Sequence, residues 1–395
     1  MSERRLPIRR VSDLQQLARR DRAAAARALA ELAPEEQVAL VCEAPVARRR
    51  EILDLLPEPE QVIPLLPEAE LVFTLKALGP GESAWLLELA TPEQIAACLD
   101  LDVWRGTALD AASLDGWLAA LAEVEDAALL RHLHAIDPEL SVLWVQQHAE
   151  VSMKPPDSEA PDFQPPAGAR TLDGSFYLVA RRDNDDLAPL LRVLHTLLQG
   201  DYWAYFRLLQ GAIWEIPTET EEWALRWRTG RLQDLGFPPW DEAMAIYRRV
   251  RPGERELLPD EPGALEADAW RLPVWIPWLP TGRDAEHLVF RAIAELGEEE
   301  RRAAFHHFVA LANKVAVADR MDLADAASTP RAIEKAALWA SRGLEHVASA
   351  NAVGTAEVLR RLPMERLFRV GASLDPKHAK GPPEDPGGPL EPDGS

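Results

Sequence analysis

PEEQVALVCEAPVARRREILDLLPEPEQVIPLLPEAELVFTLKALGPGESAWLLELATPEQIAACL, residues 34–99, decides the fold. Prolines 34, 45, 57, 67, 80 and 92 punctuate it at steps of 11, 12, 10, 13 and 12 residues. Glu35, Glu58, Glu68, Glu82 and Glu93 each follow one of these prolines within two positions. At the first position of a helix, proline sacrifices no hydrogen bond and its fixed φ suits the turn. A carboxylate just behind it meets the positive end of the helix dipole. Each Pro–Glu step therefore predicts a helix start, two per unit of about 23 residues. The spacing leaves room for about two to three turns per helix. Helices of that length do not persist alone. They must bury residues such as Val38, Leu53, Ile63, Leu65, Phe73, Leu86 and Ile95 against one another. Stacking of short helical pairs is the solution found in repeat proteins. Pro64 falls out of phase and is expected to break or shorten the helix between Pro57 and Pro67.

Composition extends this reading to the whole chain. Its 395 residues and 43.9 kDa suffice for two or three domains, and 47% are hydrophobic. Helix formers dominate, with only four tyrosines and few alternating Val-rich runs, so the expected class is all-α. The expected architecture is an N-terminal superhelix of short stacked helices over 1–151, a Pro-rich linker at 152–170 and an irregular helical domain over 171–371. That domain has at most one short strand, SFYLVA at 175–180, and a Trp/Pro-rich crossing segment at 251–283. A disordered tail, 372–395, closes the chain.

The formal charge of −22 repels nucleic acid phosphates and anionic lipid surfaces and tolerates a basic protein partner or divalent metal, with a self-repelling soluble surface the weightier reading. No apolar run reaches membrane-spanning length, and MSERRLPIRR lacks the apolar stretch of a signal peptide. Two cysteines, Cys42 and Cys98, read as buried thiols of a reducing compartment, and the expected location is the cytoplasm. The sequence is silent on oligomeric state.

Eight arginines precede residue 33, and Ser12-Asp13 is expected to cap one helix from Leu14 to Leu32. The 14 acidic and 4 basic residues of 34–104 are the expected counter-charge to these arginines. His132, His134 and His148 do not carry a zinc ligand spacing and read as surface or half-buried. Of the adjacent His306 and His307, one is expected to face inward. No nucleotide loop, nucleophile elbow or zinc-binding motif is present, so no reaction can be named, and the reading leans away from an enzyme.

The most distinctive text is EEWALRWRTGRLQDLGFP, residues 221–238. Trp223 and Trp227 lie one turn apart, Glu222 and Arg226 are placed for an i,i+4 ion pair, and Gly236 is a helix stop. Trp223, Arg226, Arg228 and Arg231 form the candidate anion or partner site, guanidinium forks being suited to carboxylate or phosphate. A buried ion-pair network, with Glu221, Glu222 and Asp234 satisfying the arginines, has the same signature and weighs more.

Two resemblances accompany these readings. Leu29–Gln37, Leu55–Gln61 and Leu89–Gln94 share phrases with the cytoplasmic N-terminal domain of MgtE magnesium transporters, which implies a superhelix of short helices but no transport, since membrane helices are lacking. Arg231–Pro238, Thr171–Gly174 and the terminal Leu367–Gly371 resemble an uncharacterised bacterial domain family. That family implies no activity, and its members look longer at the C-terminus. Three functions follow as expectations: a helical-repeat interaction scaffold, a Mg2+-sensing regulatory domain without transport, or an unidentified enzyme with an anion site on the 221–236 helix. No cofactor is expected other than that Mg2+.

Overall fold

In the computed structural model, residues 11–156, 162–182, 186–260 and 286–375 are described. They form 20 α-helices and two small antiparallel two-stranded sheets, an all-α protein. They divide into two units. One holds the residues up to Leu232 with Leu323–Ala326, and the other those from Gln233 to Asp322 and from Ala327 on.

The first unit opens with α1 (Val11–Arg20) and α2 (Arg22–Leu29). The single helix expected over 14–32 is broken at Asp21. Its backbone is extended and its carboxylate accepts from the Ala24 amide at 2.9 Å, so the chain restarts a helix there. Of the described N-terminal arginines, Arg22 reaches Asp54, at 3.9 Å and at the surface.

The short helices expected over 34–99 are present. They are α3 (Pro34–Glu43), α4 (Arg49–Leu53), α5 (Pro59–Val62), α6 (Glu68–Leu78), α7 (Pro80–Leu89) and α8 (Pro92–Asp102). Pro34, Pro80 and Pro92 occupy first helical positions, and Pro67 immediately precedes one. Two starts differ from expectation. Pro45 opens a 3-10 turn before α4, and α5 begins at Pro59 rather than Pro57. Pro64 shortens α5 to four residues by sitting in a 3-10 turn, which leaves Leu65 44% exposed instead of buried.

The glutamine of the recurring phrase has a structural task. Gln94 and Thr91 cap each other's backbone amides, at 2.8 and 3.1 Å. The Gln94 side-chain amide also donates to the carbonyls of Ile63 and Leu66, at 3.0 and 2.7 Å. Gln37 donates likewise to Leu32 O at 2.9 Å. Each of these two glutamines ties a helix start to carbonyls of a preceding turn. Arg49, 4% exposed, plays the same part for α3 and α6. It donates to Ala44 O, Cys42 O, Glu70 O and Thr74 Oγ1, and pairs with the Glu70 carboxylate at 2.5 Å. Short helices expose many unsatisfied termini per residue, and buried polar side chains close them here.

A hairpin of β1 (Trp104–Arg105) and β2 (Ala108–Leu109), not foreseen, leads into α9 (Ala111–Leu121), capped by Asp110. Then come α10 (Asp126–Leu133) and α11 (Pro138–His148). Strand β3 (Ala149–Met153) pairs with β4 (Phe176–Ala180), from Ala149 opposite Ala180 to Met153 opposite Phe176, and Arg170 bridges to Leu178. The stretch expected as a linker therefore lies between paired strands. The Thr171–Gly174 phrase forms the turn into β4. Asp173 accepts from the amides of Ser175 and Phe176 at 2.9 and 3.0 Å, and Thr171 Oγ1 accepts from Gly174. Helices α12 (Ala188–Gly200), α13 (Tyr202–Trp214) and α14 (Pro217–Asp234) follow.

His132 on α10 is fully buried, contrary to the surface reading. Its Nε2 lies 2.8 Å from Leu87 O and must carry the proton to donate there, which leaves a buried Nδ1 without a partner. Burial, ahead of the charge of Arg131 and against the Leu87 bond, holds this imidazole below its ordinary pKa of about 6.5. The unfolded chain therefore takes up this proton first. Its contribution to stability is present above pH about 6.5 and is lost as pH falls through that value towards the folded pKa. Urea midpoints measured at pH 7 and 5 should fall for the native chain and fall less for His132→Phe. Equal losses would show that His132 is not the group responsible.

In the second unit are α15 (Trp240–Ala243), α16 (Leu288–Ala294), α17 (Glu298–Ala318), α18 (Ser328–Asn351), α19 (Thr355–Arg361) and α20 (Met364–Ser373). Gly236 (φ 81°) stops α14 as expected. Gly297, which by sequence follows Leu296 as a helix stop, instead precedes the first residue of α17, and its amide is held by Glu300. His306 and His307 are both half-buried; neither is a core residue. Helix α20 ends two residues past Gly371, which is a packing position against α18. The Asp284 cap, Trp270, Trp275 and Trp278 of the crossing segment and the tail from residue 376 lie outside the described residues.

Candidate functional site

Helix α14 carries the predicted residues, and in its first-unit portion it is built inside out. Its buried side presents Thr220 and Ala224, together with the polar groups of Glu221, Arg228 and Arg231. Its outer side presents Glu219, Glu222, Trp223, Arg226, Trp227 and Gly230, all exposed and at steps of 3, 1, 3, 1 and 3. Those steps trace one face of a helix.

On the inner side Arg231 is clamped by two carboxylates. Its Nε and Nη2 donate to the Asp100 oxygens at 2.6 and 2.8 Å, and its Nη1 and Nη2 to those of Asp137 at 2.7 and 2.6 Å. The Asp100 side chain is 1% exposed. Burial alone would lower the Arg231 pKa, but hydrogen bonds and charge from the two carboxylates outweigh it and hold the guanidinium protonated. Arg228 Nε donates to Asp100 O at 2.7 Å and Nη1 to Gly106 O at 3.3 Å, with the guanidinium 5.4 Å from the Trp104 ring centre. Burial, only partly offset by Asp100, brings this guanidinium down to about 10. The Glu221 carboxylate accepts from the Leu109 amide at 2.9 Å. The inner side thus fastens α14 to α8, the β1–β2 hairpin and the start of α11 through charge-assisted bonds.

The ion-pair network expected from the sequence exists, with different acids. Asp100 and Asp137, 131 and 94 residues away, take the place assigned to Glu222 and Asp234. The i,i+4 pair of Glu222 with Arg226 is absent; the Arg226 guanidinium sits 5.3 Å from the Trp223 ring centre instead. The four predicted residues therefore separate. Arg228 and Arg231 hold the fold, while Trp223 and Arg226 remain at the surface beside Trp227.

The sequence reading missed how many exposed aromatic side chains precede them in the chain. Among the described residues twelve large apolar side chains are exposed, and six lie between positions 202 and 227: Tyr202, Trp203, Trp214, Ile216, Trp223 and Trp227. Trp214 is 71% exposed, Trp203 67%, Trp227 53% and Trp223 50%. The signal for this was present in a helix whose tryptophans and charges share one face, but a one-dimensional reading cannot tell which face is turned in.

Among the described residues no three histidine, cysteine, aspartate or glutamate side chains converge as a metal site. No helix among them is long and apolar enough to cross a membrane. The Cys42 and Cys98 thiols are free, and burial pushes both well above their ordinary pKa.

No curated protein and no solved structure matches the chain, so the likeness to MgtE rests on the shared phrases alone. A family model does match, over residues 26–376. The chain accordingly belongs to a family of unknown function, DUF6178.

Proposed function

We propose that this chain is a cytoplasmic interaction scaffold, in which short stacked helices present the outer face of α14 to a protein partner. The carrying observation is the exposure of Trp223 and Trp227, 50% and 53%, one turn apart on that face and flanked by the exposed Glu219, Glu222 and Arg226. Isolated exposed apolar residues are ordinary, whereas grouped aromatics rimmed by charges mark contact surfaces. Tryptophan at such a position contributes area at low cost in side-chain entropy. The superhelical character expected of residues 1–151 suits the same role, since stacked short helices form extended binding surfaces.

The test is photo-crosslinking in native cell extract, with a photoreactive phenylalanine analogue at position 223 or 227 and a control analogue at the exposed Leu65. A discrete adduct from the α14 positions and none from position 65 is the expected result. Equal labelling from all three would remove the proposal. The double variant Trp223→Ala/Trp227→Ala should melt within about 1 kcal/mol of the native chain, since exposed positions contribute little to the fold.

A further inference from the structure

We infer that the outer face of α14 receives a cationic segment of a protein partner, with lysine or arginine side chains spaced one helical turn apart. This inference deepens the scaffold reading and depends on it. Three features of the face converge. Glu219 and Glu222 are exposed on it, and among the described residues no cation pairs with either. Among the described residues no guanidinium or ammonium lies over the Trp227 ring, 53% exposed, whereas the neighbouring Trp223 ring carries Arg226 at 5.3 Å. Arg226 has taken the indole face in preference to the Glu222 carboxylate one turn away, and Arg228 stacks similarly on Trp104. The chain's own cations thus display the contact that the open ring offers: a delocalised or compact positive charge on an indole.

Length and field agree with this occupant. From Glu219 to Trp227 the stripe rises about 12 Å, the span of roughly two helical turns of a partner. Cations one turn apart on such a segment can meet the carboxylates and the Trp227 face while its apolar residues cover the indole edges. The net charge of −22 adds long-range attraction for a cationic segment and repulsion for a second copy of this chain.

Fluorescence anisotropy on the full chain tests the inference, using a labelled synthetic amphipathic Leu/Lys helical peptide, its Leu/Glu counterpart and physiological salt. The Leu/Lys peptide should bind and the Leu/Glu peptide should not. Glu219→Gln/Glu222→Gln should weaken binding about tenfold, and Trp227→Ala by a similar factor, with melting temperature unchanged. Leu/Lys binding that is indifferent to all three substitutions is diffuse charge attraction and overturns the inference. Loss of the position-223 crosslink in Trp227→Ala, with no effect of Glu219→Gln/Glu222→Gln on crosslinks or peptide binding, overturns the cationic occupant but leaves the scaffold standing. A native chain that sediments as a dimer and becomes a monomer on Trp223→Ala/Trp227→Ala also overturns it, since the occupant is then a second copy.

Discussion

Gly371→Ala should destabilise the second unit by about 3 kcal/mol or more, the upper end of what overpacking a close contact costs. A methyl group built on Gly371 would lie 1.9 Å from the Trp339 carbonyl oxygen and 3.0 Å from the Gly343 amide. The relation is reciprocal: a methyl on Gly343 would lie 1.9 Å from the Leu367 carbonyl oxygen. Both obstacles are backbone, so no side chain can swing aside, and α18 and α20 would have to separate. That separation would loosen the packing around Phe368, Leu367 and Leu344, all fully buried. Chemical denaturation followed by circular dichroism reads the effect. A change below about 1 kcal/mol would mean that the two helices slide apart freely.

Replacing Arg231 with leucine should cost about 3–5 kcal/mol, because it strips the cation from a buried cluster and leaves two carboxylates facing a low-dielectric site. Asp100 is inaccessible and Asp137 nearly so, and Arg231 supplies four of the hydrogen bonds that satisfy them. Arg231→Lys should recover only part of the loss, since an ammonium cannot present a fork to two carboxylates at once. Denaturation midpoints of the two variants against the native chain provide the measurement. A leucine variant as stable as the native chain would show that burial of the charges costs as much as their pairing returns.

Most of the fold was legible because its signals are local. Proline at first helical positions, a carboxylate behind it and apolar residues at helical spacing act within a few residues, and α3, α6, α7 and α8 follow them closely. The misreadings occurred where a local signal was ambiguous. Asp21 falls inside the single helix expected over 14–32, yet it caps a new one. Gly297 ends an apolar helical stretch in the sequence, but it precedes the first residue of the next helix, while Gly371 admits a neighbouring backbone. Glycine marks close approach and chain reversal with the same letter, and only the neighbouring element distinguishes them.

The candidate site was legible as a list of residues and not as an arrangement. Sequence alone determined that the chain is helical, that its N-terminal helices are short, and that the tryptophans and arginines of residues 221–238 are its most distinctive text. Tertiary structure alone decided which of them are spent on the fold. Arg228 and Arg231 were claimed by Asp100, Asp137 and the Gly106 carbonyl, groups 94 to 131 residues away, because burying α8 beside α14 removed water from those acids and made a fixed guanidinium the cheapest replacement. With the charged side turned inward, helical geometry left Trp223 and Trp227 facing solvent.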